Sequence, residues 1–196
     1  VSDLNDRVER ERKWHDDRFS INNRSEQTGR FYVALEEWFQ DYLAESRQDN
    51  IESCLELGAG LETISFSEKF NFRLNSIDIS QKAIDYLKTV ETENKTKFEV
   101  MDVHTMSHGD DSFDRVIGRG VLHHLDLTVA LPEIKRVLNS TNSVVFGEPL
   151  AGNPLINLYR LCTPSLRTPD ERPLRQSDIA WIRNSFGGAS ITYYGF

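Results

Sequence analysis

Glu56, Asp78 and Asp102 are the residues from which chemistry can be argued first. Each closes a short apolar run, in L-E-L-G, S-I-D-I-S and V-M-D-V, and the first leads into the turn Gly58-Ala59-Gly60. Carboxylates accept hydrogen bonds and attract cations, so a row of them suits a ligand rich in hydroxyls, amino groups or positive charge. Asp78 lies about twenty residues past the glycine turn, where an acid in an open α/β sheet accepts from ribose hydroxyls. It can equally cap a helix or stand as a solvated tip beside Ser80. Asp102 can accept from an adenine amino group while the Val103 N–H donates to a ring nitrogen, or it can close an Asx turn in its own loop. Ile79 can lie against an adenine face or in the core.

The elements that would position these side chains are read from periodicity. Residues 53–57 form an apolar strand that breaks on glycines into a helix over 61–70, which sets N–H groups and a positive helix end beside a crevice. Strands follow at 73–79, 96–101, 113–118, 143–147 and 189–194, alternating with helices at 80–90, 127–138 and 176–186. Strands alternating with helices of about ten residues imply βαβ units and a mostly parallel, doubly wound α/β sheet. Their carboxyl ends then share one edge, where ligands sit. Ahead of this, 4–19 is charge-rich with Leu4, Val8, Trp14 and Phe19 as apolar positions, 20–29 is a polar loop, and 31–43 has helical apolar spacing. We expect a helical cap over 1–50 and a main domain over 51–196, with a lid-like insertion at 148–173 that contains a short helix.

Composition narrows the classes. A chain of 196 residues with 38% hydrophobic and 28% charged residues is an ordinary globular domain. A formal charge of −8, with basic residues interleaved among acids, argues against a nucleic-acid partner. Cys54 and Cys162 are too few and too far apart for a zinc site, and no metal is expected. No run reaches the roughly eighteen apolar residues of a membrane span and no signal peptide is visible, so a cytoplasmic protein is expected. The chain begins on Val and stops on I-T-Y-Y-G-F, as a fragment would. A dinucleotide fingerprint needs a third glycine where Thr63 stands, which disfavours a nicotinamide-dependent oxidoreductase.

The ordered motifs resemble those of the class I S-adenosylmethionine-dependent methyltransferases. E-L-G-A-G is similar to their first motif, S-I-D-I-S to the acidic second-strand motif, V-M-D-V to the adenine motif, and F-D-R-V-I-G-R-G-V-L-H-H-L to the fourth-strand motif. A-L-P-E-I-K-R-V-L followed by V-V-F-G-E-P resembles the small-molecule branch that includes quinone-biosynthesis enzymes. The chain departs from the pattern at Glu62, where a third glycine falls, and at Asn139-Ser140-Thr141-Asn142, where a Pro and two glycines are usual. The antiparallel last strand of the family's sheet also has no counterpart before Phe196.

The resemblance implies a Rossmann-like fold, S-adenosyl-L-methionine as cofactor and a small-molecule acceptor attacking the sulfonium methyl in line, with catalysis supplied mostly by positioning. It places Glu56 near the cofactor's ammonium, Gly58, Ala59 and Gly60 at close approach, and Asp78, Ile79, Asp102 and Val103 around the nucleoside. Gly118 and Arg119 fall beside the methionine portion. A base is needed only if the acceptor must lose a proton, and histidine titrates near neutrality. His123 is the first candidate, followed by His124, His104 and His108, and V-L-H-H-L also reads as a turn with one histidine packed and one exposed. Arg119 can bind an acidic acceptor or pair with a neighbouring carboxylate. The insertion and the N-terminal helices, with Trp14, His15, Phe31 and Tyr32, can close over the acceptor. The alternative from another class is a catalytically silent cofactor-binding domain that acts as a partner or scaffold.

Overall fold

The computed structural model describes residues 2–20, 36–47, 51–60, 63, 72–90, 96–152, 154–163, 167–168 and 170–194. The expected helix at 61–70, Glu62, the loop at 20–29, Phe31 and Tyr32 lie outside the described residues, Thr63 and Ser20 excepted. Among the described residues five strands form one sheet: β1 (Ser53–Leu57), β2 (Arg73–Asp78), β3 (Thr96–Val100), β4 (Phe113–Arg119) and β5 (Leu138–Gly147). Their order is β3-β2-β1-β4-β5 and every pairing is parallel. This is the doubly wound arrangement read from the alternation of elements, with the reversal of strand order between β1 and β4.

Parallel strands are buried on both faces, and the side chains sort accordingly. Leu55, Leu57, Ile77 and Val116 join one core with Leu127, Ala130, Leu131, Ile134 and Val137 of α4 (Leu127–Val137). The spacing of those helix residues is the i, i+3, i+4, i+7 stripe of an amphipathic helix, and Asp126 caps its start by accepting from the Thr128 N–H at 2.9 Å. α6 (Gln176–Ser185) adds Ile182, and Phe186 follows at its end. On the opposite face, Tyr42 and Leu43 of α2 (Glu36–Ser46) cover Cys54, Leu74 and Ile117, while Ile84 and Leu87 of α3 (Gln81–Val90) cover Phe98.

β5 begins earlier than expected. Leu138 pairs with Phe113 and Ser143 with Arg115, so Asn139-Ser140-Thr141-Asn142 is accommodated as an irregularity inside the strand instead of a separate turn. The expected strand at 189–194 is a correction: these residues pair with no strand among the described residues. Alternating apolar residues make a strand only where a sheet edge is offered, and here Ile191 and Tyr193 are exposed while the Tyr194 hydroxyl donates to Asp41 on α2. The insertion carries α5 (Pro154–Cys162), whose Leu158 and Leu161 are exposed. Among the described residues no helix is long and apolar enough to cross a membrane.

α1 (Ser2–Ser20) docks differently from the other helices. Glu11 is buried within it. It is held by polar contacts: Arg10 makes a two-pronged pair with Asp170 at 2.8 and 2.9 Å, Arg7 donates to the His124 carbonyl at 2.7 Å, and Asp16 accepts from the Ser80 hydroxyl and the Lys82 N–H. A charge-rich helix seated by hydrogen bonds lies over the carboxyl edge of the sheet, and none of its described side chains joins the buried hydrophobic core.

Candidate active site

The first wall of the site is the turn after β1. Gly58 has φ +80°, a conformation that glycine adopts without a Cβ penalty. Its N–H and that of Ala59 both donate to the Ile77 carbonyl, and the Gly60 N–H donates to the Thr63 hydroxyl at 2.9 Å. The sequence set these N–H groups beside a crevice, but at Gly58, Ala59 and Gly60 they are paired within the chain. The chain spends these N–H groups on itself, and what the turn offers a ligand is close backbone approach. Ala59 packs its methyl with Ile84, Leu87 and Phe98.

Glu56 points into the same region from β1 and is only 4% exposed. Its carboxyl accepts from the Thr63 hydroxyl at 3.1 Å and from the Ser76 hydroxyl on the neighbouring strand. Burial pushes it up to about 8, against the opposing pull of those two hydroxyls and the charge of Arg119. Asp78 ends β2, and its Oδ1 accepts from the Ser80 N–H at 2.7 Å while Ser80 caps α3 through the Ala83 N–H. Asp78 pairs in register with Val100, the last residue of β3, so Asp78 and Asp102 stand on adjacent strand ends. Ile79 is half-buried beside them, and the Val103 side chain belongs to the core, which leaves its main chain toward the rim.

The histidines divide sharply. Asp102 Oδ1 accepts from the His104 N–H at 2.9 Å and from His104 Nδ1 at 2.7 Å, while His104 Nε2 accepts from the Asp126 N–H at 3.0 Å. Both ring nitrogens are thus engaged in fixing the loop, and His104 is corrected from candidate base to structural residue. Burial alone would raise the Asp102 carboxyl; its bonds to the His104 ring and N–H outweigh this and hold it below the usual range. His108 packs edge-on against Phe113 at 4.9 Å between centroids, with its Nε2 3.6 Å from Glu99, away from the other histidines.

His123 and His124 form the short 3-10 turn after β4, with ring centroids 4.2 Å apart. Glu148, the first residue beyond β5, organises this turn. Its Oε1 accepts from the Val121 and Leu122 N–H groups, both at 2.9 Å, and its Oε2 lies 2.8 Å from His123 Nδ1 and 3.3 Å from the His123 N–H. A carboxylate on Nδ1 fixes the tautomer with its proton there and makes Nε2 the acceptor. Glu171 Oε1 stands 3.9 Å from Nε2, beyond hydrogen-bonding range, and is paired with Arg160 at 2.7 Å. His124 Nδ1 lies 3.1 Å from Glu11 of α1, whose other oxygen accepts from the Thr168 hydroxyl. Burial would raise the Glu11 carboxyl, but bonds from His124, His15 and Thr168 bring it down to about 2. Arg119 ends β4 with its guanidinium 5.2 Å above the Phe39 ring.

Residues 55–146 match the methyltransferase-domain family. Over that stretch, just under half of its length, the chain is similar to a methyltransferase domain. Over 105 residues it is 36% identical to an uncharacterized 37.1 kDa protein in transposon TN4556 of Streptomyces fradiae, a match covering 50% of this chain and 30% of that protein. The chain thus spans under a third of that relative's length. In three dimensions it is similar to a chain of the Haloferax volcanii complex between the Trm112 methyltransferase activator and a methyltransferase, with TM-score 0.68, 17% identity, and 87% of this chain and 74% of that one covered. Geranyl diphosphate C-methyltransferase from Streptomyces coelicolor, solved with Mg2+, geranyl diphosphate and S-adenosyl-L-homocysteine, gives TM-score 0.59 at 12% identity over 80% of this chain and 60% of that one. The YcgJ protein of Bacillus subtilis gives 0.58 at 20% identity over 75% and 68%.

Within the matched stretch, Gly118 has a packing role. A Cβ there would sit 2.8 Å from Val121 Cγ1 and 3.1 Å from the Phe146 ring. Gly118→Ala should therefore cost about 1–3 kcal/mol through overpacking, read as a lowered urea midpoint with an unchanged slope. Three acids that organise the site, Glu148, Glu11 and Glu171, were not read as functional from sequence. For Glu148 a signal existed, since it closes V-V-F-G-E-P at a strand tip as Glu56, Asp78 and Asp102 close theirs.

Proposed function

We propose that this protein transfers a methyl group from S-adenosyl-L-methionine to a small-molecule acceptor. The observation that carries the reading is the shared rim. The glycine turn with Glu56, Asp78 and Asp102 lies at the carboxyl ends of β1, β2 and β3, and His123, fixed by Glu148, lies at the end of β4 beside them. These residues fit the cofactor by type: a turn that admits close backbone approach, a carboxyl for a cationic group, and acids on adjacent strand ends for ribose hydroxyls and an adenine amino group. When bound, S-adenosyl-L-methionine supplies a methyl carbon activated by its sulfonium. Asp78 orients the ribose, the Asp102 loop borders the base, and Glu56 neutralises the ammonium. His123 Nε2 takes a proton from the acceptor while Glu148 holds the ring and steadies the charge that forms.

The small size of the acceptor is argued from enclosure. His123 is 8% exposed, and the Arg172 N–H donates to its carbonyl while Arg7 of α1 donates to that of His124. A nucleic-acid acceptor is disfavoured by the charge of −8. The test is calorimetry with adenosylhomocysteine, followed by an assay for its release across a panel of small hydroxy, amino and enol acceptors. Asp78→Ala should weaken adenosylhomocysteine binding by about 1–3 kcal/mol, as for the loss of a partner in a half-buried polar site. Unchanged affinity would remove Asp78 from the site, and tight binding without turnover on any acceptor would favour a cofactor-binding scaffold.

A further inference from the structure

We propose that Glu11, His15 and His124 form a binding site for a first-row divalent transition cation of the zinc class, which staples α1 to the turn after β4. Glu11 and His15 are four residues apart and so share a face of α1. His124 reaches them from the sheet side. Glu11 Oε2 lies 3.1 Å from His124 Nδ1 and 3.6 Å from His15 Nε2, and the three ligand atoms lie within 4.8 Å of one another. Ligands bound tetrahedrally to zinc at about 2.0–2.2 Å are separated by about 3.3 Å. The two carboxylate–imidazole separations bracket that value, and the two imidazole nitrogens lie within 4.8 Å of each other.

The chemistry of the set agrees with its geometry. Two imidazoles and one carboxylate suit zinc-class cations, not calcium or magnesium, and three protein ligands leave a position for water or an acceptor oxygen. The carboxylate is oriented as metal-ligating carboxylates are, with its second oxygen accepting from the Thr168 hydroxyl. The side chains of Glu11 and His124 are 7% and 13% exposed, while His15 at 25% gives the cation an entry side. A second triad, His123, His124 and Glu171, is disfavoured. His123 Nδ1 is held by Glu148, and Glu171 already pairs with Arg160 at 2.7 Å and has Arg167 at 3.7 Å, charges that repel a cation. The Arg7 guanidinium is directed at the main-chain carbonyls of His124 and Asp170.

The site is tested on the full chain, stripped with chelator and titrated with ZnCl2 by calorimetry, and with CoCl2 by visible absorption. This probe is the metal alone, so its result is independent of the methyl-transfer reading. The expected result is one equivalent of Zn2+, a four-coordinate Co2+ spectrum, and a melting temperature that rises with Zn2+. Binding should be lost in His15→Ala, weakened about 10- to 100-fold in Thr168→Val, and retained in Glu171→Gln. His15→Ala leaves the Glu11–His124 bond in place, so it tests the site in a chain whose α1 remains tethered. Absence of stoichiometric binding, or binding that survives His15→Ala, or binding lost in Glu171→Gln and kept in His15→Ala, each overturns the proposal.

Discussion

Glu56→Gln is expected to flatten the dependence of stability on pH between about pH 5 and pH 8, and to make the protein more stable than wild type at pH 9. The folded wild-type chain holds the Glu56 proton up to about 8, whereas the ordinary value is 4.5. Between those limits the folded state binds more protons than the unfolded one, so stability falls as pH rises through the window. It is fully retained below the lower limit and lost above the upper one. A displacement of this size corresponds to a loss of about 5 kcal/mol across the whole window. Glutamine reproduces the protonated group: its oxygen can accept from Thr63 and its amide can donate to the Ser76 oxygen, the two partners now on Glu56. Urea midpoints from pH 5 to 9 measure this, with wild type descending and the variant level. Equal slopes would mean that the folded carboxyl is already ionised. The same proton gives a second readout, because an ammonium held at Glu56 would expel it. Adenosylhomocysteine binding at pH 7 should then release a proton in wild type and none in the variant, visible as a dependence of binding heat on buffer.

What could be read from the sequence follows from how local the determinant was. The strands at 53–57 and 113–118 carry adjacent apolar residues and are ended by turn residues. Burial on both faces of a parallel sheet leaves that mark without reference to the rest of the chain. Asp78 and Asp102 were placed by the same logic, since an acid at a strand tip is visible in one dimension. The alternatives left open for them are also present, because each carboxylate accepts from the loop that follows it. A residue can close its own turn and still border a ligand. The strand expected at 189–194 failed because pairing is a property of two segments, and a run of I-T-Y-Y carries no sign of whether an edge awaits it. Glu11 was hidden for a related reason. Its partners His124 and Thr168 lie 113 and 157 residues away, and in a helix of mixed charges nothing distinguishes a buried glutamate from its solvated neighbours.

The largest effect on turnover is expected at the Glu148–His123 pair. If His123 Nε2 accepts the acceptor's proton, His123→Ala should lower kcat by about 10²- to 10⁴-fold, the usual contribution of a positioned base, with cofactor affinity unchanged. That variant alone would not separate a base from a packing residue, because His123 is buried against Glu148 and His124. Glu148→Gln separates them. The amide oxygen can still accept from the Val121 and Leu122 N–H groups that Glu148 Oε1 serves, so the turn gives up only the longer bond from the His123 N–H to Oε2. Facing His123 Nδ1 the amide presents an N–H, which drives the imidazole proton to Nε2 and removes the acceptor from the reacting side. Turnover should fall nearly as far as in His123→Ala, the melting temperature should move little, and the double variant should be no slower than either single one. Additive losses would show two independent roles. A Glu148→Gln enzyme with wild-type kcat would show that the carboxylate only braces the turn, and the proton would then have to leave by another route or the acceptor would have none to lose.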